Sequence, residues 1–133
     1  MKKINGFNLI EMLITLSIIG ILSATCLPLY SSHITKERRI EAAIILNKLA
    51  VALEQFFITH QNYDATLERL GFKTQIADNH YQLAITKATG SEFIIEAQPS
   101  AAQAAKDSQC GTLALNSVGE KTITGTGTVN DCW

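Results

Sequence analysis

Metal-binding, phosphate-cradling and nucleophilic signatures are missing from this sequence. Its three histidines, His33, His60 and His80, are scattered, and none is spaced with the three cysteines as zinc ligands are. No glycine-rich loop has the spacing that wraps a phosphate. Ser31-Ser32-His33 sets hydroxyls beside an imidazole, but a nucleophile, base and orienting acid must converge through folding, and no local signature announces them. These absences argue for a non-enzyme that needs neither cofactor nor metal. A strong net charge is missing too. The formal charge of -1 on 133 residues gives no whole-chain attraction to nucleic acid or to an anionic membrane. The length suits one compact folded unit.

The most informative absence is local. From Met12 to Leu29 there is no charged side chain, and only Thr15, Ser17, Ser23 and Thr25 interrupt the hydrocarbon character. Such a run spans a bilayer, which takes roughly 20 residues at about 1.5 Å rise each. Lys2 and Lys3 precede it, and basic residues stay on the cytoplasmic side, so residues 30–133 are expected across the membrane. That orientation sorts the cysteines. Cys26 lies within the apolar run, whereas Cys110 and Cys132 fall in the exported part, where a disulfide persists. Pairing those two would stabilise a small domain by about 3 kcal/mol in the chain-entropy view; the alternative is two free thiols.

Three readings compete for the N-terminus: an ordinary removable signal, a lipoprotein signal ending at Cys26, and a membrane helix that stays. Ser23-Ala24-Thr25-Cys26 offers a faint cleavage or lipidation site, but Thr25 suits a lipidated cysteine poorly and the apolar run continues through Leu27 and Leu29. Only the third reading accounts for Glu11. A carboxylate in an apolar segment costs about 2.5 to 3.5 kcal/mol near a helix centre and less toward an end, so it calls for a partner or a purpose.

The string Lys2-Lys3-Ile4-Asn5-Gly6-Phe7-Asn8-Leu9-Ile10-Glu11-Met12-Leu13-Ile14-Thr15-Leu16 closely resembles the class III leader of type IV pilins and related pseudopilins. The resemblance implies a prepilin peptidase that cuts between Gly6 and Phe7 and methylates the new Phe7 amine. Glu11 stands where the family carries its glutamate, and Pro28 also falls on a family position. The family's glutamate is thought to neutralise the Phe7 amine of an adjacent subunit during assembly. Two opposite charges that cannot remain solvated in an apolar bundle are best satisfied by each other, and their pairing would set the axial register of neighbouring helices.

Beyond the anchor, Ala42, Leu46, Leu49, Leu53 and Phe56 recur at alternating steps of four and three, with Glu37, Glu41, Lys48 and Gln55 on a polar side. One helix is therefore expected from the anchor to about His60, kinked at Pro28 and weakened at Gly20. Ile40, Ala43, Ile44, Ala50, Val51 and Phe57 widen its apolar surface, as expected if one side packs on a sheet and another on sister helices. Residues 61–79 read as a connection with a turn near Leu67 to Leu70. Tyr81, Leu83 and Ile85, then Phe93, Ile95 and Ala97, alternate as a hairpin about Ala88-Thr89-Gly90-Ser91. Residues 101–109 form a connection of unassigned shape. Leu113 and Leu115 open another strand that returns through Thr122 to Thr124 after a turn at Asn116-Ser117-Val118-Gly119, and the tail carries little secondary-structure signal.

Cys110-Gly111-Thr112-Leu113-Ala114-Leu115-Asn116, the Gly119-Glu120-Lys121 turn and the terminal Cys132-Trp133 are similar to PilE-like minor pilins. The fold implied is the α+β type IV pilin fold: a long N-terminal helix, half hydrophobic and half amphipathic, on a small antiparallel sheet, with a C-terminal disulfide-bounded loop. The organisation implied is a leader at 1–6, a membrane and filament-core helix at 7–29, and a periplasmic domain at 30–133. The partners implied are other pilin subunits, the prepilin peptidase and the inner-membrane assembly machinery. A minor pilin supporting pilus biogenesis, adhesion, twitching motility or DNA uptake is the reading favoured, held in the inner membrane before assembly and extracellular afterwards. A pseudopilin of type II secretion is the first alternative; the cysteine pair and a tail whose only acid is Asp131 argue against it, because major pseudopilins typically lack the disulfide and carry a calcium loop. A filament-exposed pilin that binds DNA or another ligand is the second. Lys36, Arg38 and Arg39, with Lys48, form the only basic cluster; they sit beside Glu37 and Glu41, which favours a solvated or subunit-contacting face over a nucleic-acid contact.

Overall fold

The computed structural model describes residues 6–133 and divides them into two units, the first ending at Ile34 and the second comprising Thr35–Trp133. Lys2 and Lys3, and with them the charge that set the expected orientation, lie outside the described residues. Helix α1, Leu9–His60, begins in the first unit and continues into the second.

From Met12 to Leu29 α1 is apolar all round, with a mean hydropathy of 2.1 over the most apolar stretch of the helix, and every residue of this run is exposed. The four hydroxyls between Met12 and Leu29 are the polar groups that hydrocarbon would reject, and each donates back to the helix. Thr15, Ser17 and Ser23 bond the carbonyls of Glu11, Leu13 and Ile19 at 2.8 Å, and Thr25 bonds that of Leu22 at 3.0 Å. Thus the run presents methyl and methylene surface while its polar atoms are used internally.

In the second unit α1 becomes one-sided. Thr35, Arg39, Ala42, Ala43, Leu46, Leu49, Leu53 and Phe56 are buried, at the three- and four-residue steps that keep a helix stripe on one face. Gln61, at φ 57°, ends the helix in the left-handed region, and its N–H caps the Phe57 carbonyl at 2.8 Å.

The stripe packs on a five-stranded antiparallel meander in the order β1 (Gln75–Ile76), β2 (Tyr81–Ala88), β3 (Phe93–Pro99), β4 (Leu113–Asn116) and β5 (Lys121–Ile123). Register places Leu83 opposite Ala97 and Ile85 opposite Ile95, then Ile95 opposite Leu115 and Ala97 opposite Leu113. Inward residues therefore meet inward residues across all three central strands, and Tyr81, Leu83, Phe93, Ile95, Ala97, Leu113 and Leu115 join the α1 stripe in one core. An irregularity between Ile85 and Lys87 shifts the β2–β3 register by one residue.

Both expected hairpins are present. In the β2–β3 turn, Thr89 Oγ1 accepts from the N–H groups of Ser91 and Glu92. In the β4–β5 turn, Asn116 Oδ1 accepts from Val118 and Glu120 while Gly119, at φ 81°, takes the left-handed position.

Three short elements are additions to the sequence reading. Strand β1 lies within the expected 61–79 connection and is only two residues long. Helix α2, Ala101–Lys106, occupies the unassigned 101–109 segment; Ser100 caps it by accepting from Gln103 N at 3.3 Å. Helix α3, Val129–Cys132, forms in the tail, capped by Thr128.

Candidate functional site

Gly6, Phe7 and Asn8 precede the first turn of α1, and the Asn8 carbonyl accepts from the N–H groups of Glu11 at 3.0 Å and Met12 at 3.2 Å. Phe7 is 80% exposed, and Glu11 is exposed in the first helical turn, where the positive end of the helix dipole favours a carboxylate. The processing and assembly residues inferred from the sequence therefore adjoin one another in the chain, on an accessible helix end. Helix α1 runs unbroken through Gly20 and Pro28, the two positions expected to bend it.

At the other end of the chain Cys110 and Cys132 are bonded, with Cα atoms 5.5 Å apart, and Cys26 is free and exposed. The tail reaches Cys132 by lying close against the segment before Cys110. Gly125 N donates to Cys110 O at 3.0 Å and Gly127 N to Gln109 O at 2.8 Å. A Cβ on Gly125 would meet Gln109 O at 2.1 Å, and one on Gly127 would meet it at 2.9 Å. The two glycines are thus required by backbone proximity rather than by a turn.

Arg39 corrects the sequence reading. Grouped there with Lys36 and Arg38 as a basic surface, it is buried at the centre of a polar clasp. Its Nη1 donates to Asp107 Oδ1 at 2.6 Å, and Nη2 donates to the backbone carbonyl of Asp131 at 3.4 Å. Gln103, 1% exposed, donates to Thr35 O at 3.0 Å and to the Tyr81 hydroxyl at 3.4 Å. Tyr81 in turn donates toward Asp107 Oδ2 at 3.5 Å. Burial pushes the Tyr81 phenol up from 10.0 to about 12; the bond from Gln103 works against that rise, and the Asp107 charge adds to it. One turn of α1 places Thr35 and Arg39 on the buried stripe, so an arginine in that register faces the core whatever its charge. Of the three proposed nucleic-acid contacts, Lys36 is exposed, Arg38 is half-buried and Arg39 is enclosed. Sequence reasoning missed Asp107 and the Asp131 carbonyl as the partners of Arg39, and Tyr81 and Gln103 as the polar groups that join the clasp through Asp107. The one local signal was Ser100-Ala101-Ala102-Gln103, which has capping-box spacing, although Gln103 spends its side chain on Thr35 and Tyr81.

Histidine placement follows packing. His60 stacks on Phe56, with ring centroids 3.9 Å apart, and His80 Nδ1 lies 3.2 Å from the Ala77 carbonyl. Among the described residues no group of three metal-ligating side chains comes together.

A long N-terminal helix on an antiparallel meander, closed by a C-terminal disulfide, is the architecture of the type IV pilins. Residues 28–114 match the family described as "Type IV minor pilin ComP, DNA uptake sequence receptor", and residues 1–27 match the prokaryotic N-terminal methylation motif. This chain belongs to that minor pilin family, and with it to the structural subunits of type IV pili. Among its relatives are the fimbrial protein EcpC of Eikenella corrodens, 28% identical over 83% of this chain and 72% of EcpC. The type IV major pilin PilA of Myxococcus xanthus is 32% identical over 64% of this chain, and a probable minor fimbrial protein of Dichelobacter nodosus is 36% identical over 41%. The chain spans 38% and 35% of those last two proteins. In fold, the crystal structure of the Neisseria meningitidis non-core minor pilin PilV is similar at a TM-score of 0.50 and 18% identity, over 69% of this chain and 91% of that one.

Proposed function

We propose that this minor pilin is cut between Gly6 and Phe7 by a prepilin peptidase, methylated on Phe7, and held in the inner membrane by residues 7–29 with residues 30–133 in the periplasm. The inner-membrane assembly machinery then draws it into a filament with other pilins. Glu11 of one subunit pairs with the Phe7 amine of a neighbour. The observation that carries this reading is the combination of the methylation-motif match over residues 1–27 with the helix segment that overlaps it, Met12 to Leu29, whose only polar side chains bond their own backbone. A carboxylate one residue before such a segment gains most from a cation that is equally poor in alternatives. The role is structural and asks no catalysis of the chain.

Sheared filaments analysed by mass spectrometry test the reading. A chain beginning at N-methylated Phe7, in small proportion to another pilin, is expected; a chain retaining residues 1–6 would refute the processing. Glu11→Ala should leave insertion and cleavage intact while lowering incorporation into filaments, and normal incorporation would remove the pairing role.

The family match over residues 28–114 favours a second reading, DNA binding on the filament during uptake. With Arg39 enclosed, Lys36, Arg38 and the more distant Lys48 are left of the basic cluster to contact phosphate. Binding to duplex DNA that weakens with salt and is lost in Lys36→Gln/Arg38→Gln supports it, whereas salt-insensitive or undetectable binding excludes it. The disulfide and the fimbrial relatives count against the pseudopilin alternative.

A further inference from the structure

Arg39 reaches both halves of the disulfide. Through Nη1 it holds the Asp107 carboxylate, and the Asp107 carbonyl accepts the N–H groups of Cys110 at 3.2 Å and Gly111 at 3.1 Å. Through Nη2 it holds the carbonyl of Asp131, the residue before Cys132. Asp107 is 68 residues from Arg39 and Asp131 is 92, so one side chain on α1 gathers two remote segments. The guanidinium suits this because its donors are fixed in a planar fork that can bond two acceptors at once.

We propose that Arg39 is a positioning residue for oxidation of the Cys110–Cys132 pair: in the reduced, folded chain it holds the two thiols within bonding reach before the sulfurs are joined. The chemistry is thiol–disulfide exchange. One cysteine thiolate attacks a low-molecular-weight disulfide such as oxidised glutathione and releases one glutathione thiol. The second cysteine attacks the mixed disulfide, releases the second thiol, and leaves one Sγ–Sγ bond; two electrons pass to the glutathione. Arg39 touches neither sulfur. It raises the effective concentration of one thiol near the other by restricting both segments.

A rival organiser stands beside it. The backbone bonds Gly125 N to Cys110 O and Gly127 N to Gln109 O also draw the tail toward Cys110, and they do not involve Arg39. The two accounts diverge in the reduction potential. A substitution that destabilises reduced and oxidised protein equally leaves the potential unchanged; one that frees the thiols only when the disulfide is open makes the pair easier to reduce.

The test equilibrates the full-length chain, carrying Cys26→Ser and held in detergent micelles, with glutathione redox buffers, and measures the oxidised fraction by thiol alkylation and mass. Arg39→Met is expected to lower the effective concentration of the pair by about tenfold, a rise of about 30 mV in potential, in keeping with the loss of a charge-assisted bond. Arg39→Lys, which keeps the charge but offers one nitrogen, should fall between wild type and Arg39→Met. Leu53→Ala, about four turns further along α1, should weaken the fold without moving the potential. If Arg39→Met does not fold, Arg39→Lys decides the matter. Potentials unchanged in the Arg39 variants, or moved equally by Leu53→Ala, would overturn the proposal in favour of the glycine backbone bonds.

Discussion

The guanidinium of Arg39 and the carboxylate of Asp107 meet at 2.6 Å, both with side chains about nine-tenths buried, and join α1 to the segment that leads into Cys110. Removing one partner of such a pair leaves the other charge buried and uncompensated, which costs about 3 to 5 kcal/mol. Arg39→Met is therefore expected to destabilise the folded domain by that amount in urea denaturation. Arg39→Met/Asp107→Leu should recover most of the loss. A double variant as unstable as the single one would show that the hydrogen bonds to Asp131 and Tyr81, rather than the ion pair, dominate.

Tyr81 gives the clasp a pH signature. The unfolded phenol ionises near 10.0 and the folded one near 12, so between these values the unfolded chain holds fewer protons than the folded chain. The stabilisation is fully present below pH 10 and is lost as pH rises through 12. Absorbance titration of the phenolates should show one tyrosine ionising last, and Tyr81→Phe should abolish that step.

Gly125 and Gly90 make a matched pair for the backbone. A Cβ at Gly125 would sit 2.1 Å from Gln109 O, whereas one at Gly90 would meet nothing within 4 Å. Gly125→Ala is expected to force the tail away from Cys110, seen as a lower melting temperature and free thiols on alkylation. Gly90→Ala should change stability by no more than about 0.5 kcal/mol.

Leu53 and Val51 test the two faces of α1. Leu53 is fully buried in the core and Val51 is 57% exposed. Leu53→Ala should cost about 2 to 5 kcal/mol, and Val51→Ala under about 1 kcal/mol, in thermal unfolding of the isolated chain.

Much of the architecture was legible because its causes are local or periodic. An uncharged run announces a membrane-length helix, the three-and-four spacing of Ala42, Leu46, Leu49, Leu53 and Phe56 announces the buried stripe, and alternation with Thr-Gly and Val-Gly turns announces the two hairpins. Two cysteines that both lie beyond the apolar run announce their own bond. The processing motif is a linear string and needs no fold to be read.

Arg39 was not legible. Sequence neighbours placed it with Lys36 and Arg38 as surface charge, but helix phase turned it inward onto an acid 68 residues away, and no local pattern encodes which distant carboxylate will be there. The same holds for β1, whose two residues are strand only because β2 offers partners, and for Gly125 and Gly127, whose small size matters only where the tail crosses Gln109. What the sequence by itself determined were the anchor, the amphipathic helix, the hairpins and the cysteine pair, because short-range periodicity and solvent preference suffice for those. The tertiary structure alone decided which arginine leaves the surface and what it holds, since a buried charge takes its meaning from the groups that folding brings within hydrogen-bond reach.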